Sequence, residues 1–238
     1  PEKSSYLAQS VSGGGNRKTF TFSTWIKRSK LTGVAFSLFD NGKWDVGSSQ
    51  SNIRLTGDTD APPLGCIDVY DWNGAYQWRV IAIQNRLIDT SAWMHVLVAV
   101  DTTQVTAADR VKIYVNGIRQ NEFYSATYPS LNADTYFNSG TQVERTIGKT
   151  NALTTHYYDG LLAETYWIDG QALDPSAFND YTEDSNLTPR KFNGDVGPTG
   201  FHLDYSTTAN VQNMAVYSEN FQPSMSPTTG WFVVSGVS

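Results

Sequence analysis

Hydrophobic and polar positions along this chain alternate over short distances, and no long window repeats at helical spacing. From Thr19 to Ile26 the order Thr-Phe-Thr-Phe-Ser-Thr-Trp-Ile alternates and then brings Trp25 and Ile26 together, which predicts a strand buried on both faces near its end. Val34 to Phe39 predicts a second strand, ended by Asp40-Asn41-Gly42. Cys66 to Trp72 and Ala75 to Ile83 flank Asn73-Gly74. That pair favours a two-residue hairpin, because a type I′ turn needs positive φ at both central positions. Asn116-Gly117 gives the same signal between Val115 and Ile118. Met94 to Val100 is apolar on both faces and is expected to be a central strand rather than an edge. Arg145 to Gly148 and Gly160 to Ile168 are further strands. Leu173 to Phe178 predicts one short helical turn, with Asp174 as cap and Pro175 at the first helical position. Many short strands separated by tight turns predict an all-β, antiparallel sandwich or barrel.

Composition narrows the function classes. The 238 residues suffice for one large β domain, and the 39% apolar and 13% aromatic content is enough to fill its core. The net charge of -6 argues against a nucleic-acid partner, and the basic stretch Lys27-Arg28-Ser29-Lys30 is too short to act as a patch. With Cys66 alone, no internal disulfide can form, and this cysteine reads as a small buried apolar residue. No segment approaches the ~18 apolar residues of a membrane span, so membrane insertion is not expected. Pro1-Glu2-Lys3 fits a removed initiator methionine, and the absence of a basic-then-apolar leader fits a cytoplasmic product or one exported by other means, such as release on cell lysis.

Three regions differ in character. Residues 1–18 are polar, contain Gly13-Gly14-Gly15, and are expected to form a flexible entry. Residues 19–205 carry the strand pattern. Residues 206–238 are rich in Ser and Thr, lack Lys and Arg, and close on Trp231-Phe232-Val233-Val234. Such an apolar end suits an extended arm that docks on its own sandwich or on a neighbouring subunit, with Trp231 and Phe232 as assembly candidates. The alternative is an ordinary final strand pairing with the first.

Residues 16–205 resemble the concanavalin A-like lectin/glucanase superfamily, in the laminin-G/pentraxin-like form carried by tailed-phage virion proteins. The resemblance rests on Asn16 to Arg28, Ala92 to Val96, Val98 to Gln104, Asp109 to Gly117, Ile147-Gly148, Tyr158 to Glu164 and Ile168 to Leu173, taken in order. Pro189 to Phe192 and Gly200 to Asp204 resemble the closing segment. It implies a jelly-roll sandwich on or near a virion, as capsid decoration or as part of a tail or fibre appendage. Other virion proteins, further copies of the chain and host-surface polysaccharide are the implied partners.

The candidate chemistry points to binding rather than catalysis. Glycanases of the resembled fold place carboxylates as Glu-x-Asp-x-x-Glu on one strand, because a period of two puts them on one face. Here the nearest stretch, Glu164 to Asp169, has the wrong spacing and lacks the middle carboxylate. Glu164 therefore reads as a buried strand carboxylate with hydrogen-bond partners. His95, His156 and His202 form no ligand motif, and His95 reads as a hydrogen-bonded core residue. No cofactor is required. Calcium is the one metal considered, with Asp40, Asn41, Asp71 and Asp134 in oxygen-rich loops as weak candidates against the turn-forming role of such residues. Glycan binding needs an aromatic ring to stack on a sugar face with amides or carboxylates beside it. Trp44, Trp72, Asn73, Tyr76, Tyr157 and Tyr158 are the candidates, against a core or interface role for each ring. The expectation is a non-enzymatic phage virion protein, with a host-glycan-binding module as alternative and a glycanase as a remote one.

Overall fold

A computed structural model describes residues 5–11, 13–42, 49–140, 144–151, 153, 155–205, 214–215 and 231–235. In chain order the strands are β1 (Ser5–Ser10), β2 (Thr19–Arg28), β3 (Phe36–Gly42), β4 (Gln50–Leu55), β5 (Ile67–Trp72) and β6 (Tyr76–Ala82). Next come β7 (Met94–Asp101), β8 (Val111–Val115), β9 (Ile118–Arg119), β10 (Phe123–Thr127), β11 (Glu144–Ile147) and β12 (Gly160–Asp169). The last are β13 (Asn179–Tyr181), β14 (Leu187–Pro189), β15 (Phe201–Leu203), β16 (Met214–Ala215) and β17 (Trp231–Ser235). They form an antiparallel jelly-roll sandwich. An eight-stranded sheet runs β10-β6-β5-β4-β3-β11-β1-β17, and a seven-stranded sheet runs β15-β12-β2-β7-β8-β9, with β16 on β12. Among the described residues no helix is long and apolar enough to cross a membrane.

The inner faces follow from the period of two. Ile53 and Leu55 of β4, Ile67 and Val69 of β5, and Trp78 and Val80 of β6 join one buried core with Phe20, Phe22, Val96 and Val98 from the other sheet. At its centre Trp167 stacks between Phe20 and Phe39, each at 4.7 Å between ring centroids. The expected central strand is central: β7 lies between β2 and β8. His95 on it is fully buried, with its ring nitrogens 2.8 Å from Ser23 Oγ and 2.8 Å from Asn179 Nδ2. Cys66 is buried as expected.

Several boundaries differ from the sequence reading. The entry segment is not wholly flexible, because Ser5–Ser10 forms a strand and Leu7 enters the core. The final segment takes the ordinary-strand course: β17 pairs with β1, Ser235 opposite Ser5 and Trp231 opposite Gln9. The turn at Pro175–Ala177 is a 3-10 turn capped by Asp174, whose side chain accepts from the Ser176 amide. A second 3-10 turn at Ala107–Asp109 was not foreseen. Asn116 and Gly117 take φ of 49° and 78°, as a type I′ hairpin needs. At Asn73-Gly74 only Gly74 is positive, at 73°, because Trp72 pairs with Tyr76 and the loop has three residues.

The two outer faces are treated differently by the chain. On the seven-stranded sheet, Leu97, Ala99, Tyr166 and Ile168 form a second apolar cluster with Phe178, and Leu173, Phe192 and Val196 pack over it. Residues 173–196 thus roof that face. The outer face of the eight-stranded sheet instead carries polar and aromatic side chains.

Candidate glycan-binding face

Pairing register assembles this face from residues that alternate with the core. Arg54 lies opposite Asp68, Asn52 opposite Tyr70, and Gln50 opposite Trp72. On the next strand Tyr70 lies opposite Arg79, and Trp72 opposite Tyr76. Three rows on β4, β5 and β6 therefore gather two arginines, one carboxylate and three aromatic rings.

The carboxylate of Asp68 is fully buried and organises the group. Arg79 donates to it from Nε at 2.9 Å and from Nη2 at 2.8 Å, and Arg54 donates from Nε at 2.9 Å. Such forked pairs fix the guanidinium planes as well as their charge. Each plane also lies over a ring, Arg54 over Tyr70 at 5.0 Å and Arg79 over Tyr76 at 4.4 Å. Burial works against the Arg54 charge, but Tyr70 and Asp68 outweigh it and hold the group above its ordinary value. Tyr76 meets Tyr70 edge-on at 5.2 Å and Trp72 edge-on at 4.8 Å. Tyr76 as a residue remains 43% exposed.

A polar patch continues the face towards β1. Asp40 lies opposite Asn52, and its Oδ2 accepts from Gln50 Nε2 at 2.5 Å and Asn52 Nδ2 at 2.7 Å. Asp40 is fully buried, and burial pushes this carboxyl up to about 7 despite the hydrogen bonds from both amides. The hydroxyl of Thr150 accepts from Asn52 Nδ2 at 3.1 Å. Beyond it Lys149 Nζ sits 4.3 Å from the Tyr6 ring centroid and 5.6 Å from that of Tyr157.

Of the predicted glycan-binding candidates, the structure brings Trp72, Asn73 and Tyr76 together. Asn73 is exposed and donates from Nδ2 to Tyr136 Oη at 3.1 Å. Tyr157 belongs to the separate Tyr6–Lys149 group. Tyr158 is a correction: it is 1% exposed, in the core, because the sandwich closes over it beside Arg28 and offers no ring face to a ligand. Trp44 lies outside the described residues, as do the side chains of Trp231 and Phe232. Arg54, Asp68, Tyr70 and Arg79 were not singled out. Their alternation with Ile53, Val69 and Val80 was a legible sign of an outward face, but the cross-strand register was not.

The calcium candidates do not converge. Asp40 faces outward as described, and the neighbouring Asn41 donates instead to the Tyr136 carbonyl at 3.0 Å. Asp71 points into the sandwich, where it accepts from Ser51 Oγ at 2.6 Å and the Tyr136 amide at 2.8 Å, and burial pushes it up to about 6. Asp134 is exposed near Lys18, at 3.9 Å. Among the described residues no group of three or more His, Cys, Asp or Glu side chains is placed to hold a metal.

Glu164 is also placed differently from the reading as a buried carboxylate. It sits in a bulge where β12 slips against β2, takes a φ of 48°, and keeps 28% of its side chain exposed. Its Oε2 accepts from Tyr166 Oη at 3.0 Å and lies 2.8 Å from His202 Nε2. The His202 ring stacks on Tyr166 at 4.0 Å. The partners expected of Glu164 are present, and the exposure falls within the register shift between Ala163 and Tyr166.

A family model described as the concanavalin A-like lectin/glucanases superfamily matches residues 2–177. No curated protein gives a match. Among solved structures, the native heptameric SAP-like pentraxin from Limulus polyphemus is similar at 12% identity and a TM-score of 0.46, over 72% of this chain and 77% of that one. The CBM40 of Ruminococcus gnavus IT-sialidase, bound to α2,3 sialyllactose, is similar at 12% identity and 0.43, over 66% and 86%. The enzymatically active domain of tailspike protein 2 from bacteriophage CBA120 is similar at 10% identity and 0.43, over 72% of this chain and 25% of that one.

Proposed function

This chain belongs to the concanavalin A-like lectin/glucanases superfamily, and on that footing we propose that it is a non-catalytic glycan-binding sandwich carried on a tailed-phage particle, where it meets host-surface polysaccharide. The observation that carries the binding reading is the Trp72–Tyr76 pair on the outer face of the eight-stranded sheet, where Tyr76 is exposed. A purely architectural sandwich has no need of an exposed ring held edge-on by two others and backed by a guanidinium. Sugar rings present apolar C–H faces that stack on such a ring, while the neighbouring arginine and amide donors suit sugar oxygens.

Glu164 supports the non-catalytic part. Its carboxylate is engaged by Tyr166 and His202, and the Glu-x-Asp-x-x-Glu spacing of glycanase strands is missing around it. The virion setting rests on the ordered resemblance of residues 16–205.

The test is isothermal titration of the full chain with surface polysaccharide from candidate host strains, repeated with Trp72→Ala and Tyr76→Ala. Ring stacking worth about 1 kcal/mol predicts an approximately fivefold loss of affinity per substitution. Unchanged affinity in both variants would remove the face from consideration. Immunogold labelling of intact particles checks the setting separately.

A further inference from the structure

We infer that this face selects acidic glycans, those bearing uronic or nonulosonic carboxylates, over neutral ones. The inference rests on the glycan-binding reading above and assigns its ligand class.

Charge counting at Asp68 is the starting point. Two guanidinium groups share one carboxylate, so the group carries an excess positive charge in a chain whose net charge is -6. The hydrogen bonds at Asp68 use Nε and Nη2 of Arg79 and only Nε of Arg54. That leaves Nη1 of Arg79 and both terminal nitrogens of Arg54 without a hydrogen bond to another described residue. None of these atoms is among the buried, unpartnered ones, and the two side chains keep 21% and 12% of their surface exposed. The Arg79 group is the more exposed of the two and lies over the Tyr76 ring, 4.4 Å from its centroid, while Arg54 lies over Tyr70.

Geometry makes them more than a diffuse patch. Asp68 fixes each guanidinium from one side, and Tyr70 and Tyr76 hold the planes from another. A preorganised guanidinium loses little side-chain entropy on pairing and matches a carboxylate in two parallel bonds. A sugar stacked on Tyr76 would bring a ring carboxylate within reach of Arg79, and a neutral hydroxymethyl group there would forgo the charge-assisted bond.

The test uses the full chain with polygalacturonate and α2,8-linked polysialic acid, each before and after chemical reduction of its carboxylates. At least one acid polymer should bind on the order of tenfold or more tighter than its reduced form, the range of a hydrogen bond to a charged group. Arg79→Met should erase most of that ratio. Because Arg79→Met disturbs the Asp68 group, a second variant, Arg54→Met with Asp68→Asn and Arg79→Met, removes all three charges together and should erase the ratio too. Equal binding of acid and reduced forms would overturn the inference and leave the glycan-binding reading standing. Absence of binding to every polymer would overturn both. An acid preference that survives the triple variant would locate the selectivity elsewhere and overturn the assignment to this face.

Discussion

Asp40 and Asn52 stand directly opposite each other on neighbouring strands, and the Asn52 amide donates to Asp40 Oδ2 at 2.7 Å. The pair sits on the outer sheet face yet is fully buried, because the segment bearing Thr150 lies against it.

Burial raises the Asp40 pKa from 3.8 to about 7, so the folded state holds a proton that the unfolded chain has already released. The stability this contributes is complete below the unfolded value and is lost as pH rises through about 7. Asp40→Asn, which can accept from Gln50 and Asn52 through its amide oxygen, should therefore raise the urea midpoint relative to wild type at about pH 8. The gain should shrink towards about pH 4. A variant that is less stable at both values would contradict the assignment.

His95 acts in the opposite direction. Burial alone depresses it to about 3 from 6.5, so the unfolded chain takes up a proton that the folded one refuses. The contribution is complete above 6.5 and lost as pH falls towards 3. In a pH series of urea unfolding, His95→Gln should lose stability overall but flatten this acid-side decline. A variant curve parallel to wild type between those values would show that His95 is not the group responsible.

Trp167 ties the aromatic core to a polar hub. Its indole donates to Asn138 Oδ1 at 2.9 Å, and the same oxygen accepts from Arg145 at 2.7 Å and Thr199 at 3.0 Å. Trp167→Ala should cost about 3–5 kcal/mol by loss of packing. Trp167→Phe should cost about 1–3 kcal/mol, chiefly from the lost hydrogen bond. Equilibrium denaturation of both variants separates the two contributions.

Deleting residues 206–238 removes β17 from the sheet edge and uncovers the backbone donors and acceptors of β1. Loss of this ladder should lower stability on the order of 1–3 kcal/mol, and light scattering should detect self-association through the new edge. A truncated chain that stays monodisperse at millimolar concentration would contradict this.

The apolar strands were legible because their side chains read the same whichever strand lies beside them. Met94 to Val100 has to be central, since both its faces are apolar. β4 was not foreseen: Gln50, Ser51 and Asn52 look like a loop, yet all are buried, paired with Asp71 or Asp40 across strands. The same blindness applied to the site. Trp72 and Tyr76 flank one hairpin and were visible as neighbours, whereas Asp68 meets Arg54 and Arg79 only through register across three strands. Tyr157 and Tyr158 are adjacent in sequence and end in different environments, one beside Tyr6 and one in the core, which alternation alone does not settle for a segment outside a regular strand.

The pairing of Ser5 with Ser235 has a geometric consequence for presentation. Both chain directions leave the sandwich from the same rim, the β1–β17 side, while β6 and β10 form the opposite rim. The Ser5–Ser235 pair is thus separated from the rows that carry Tyr76 and Arg79 by most of the width of the sheet.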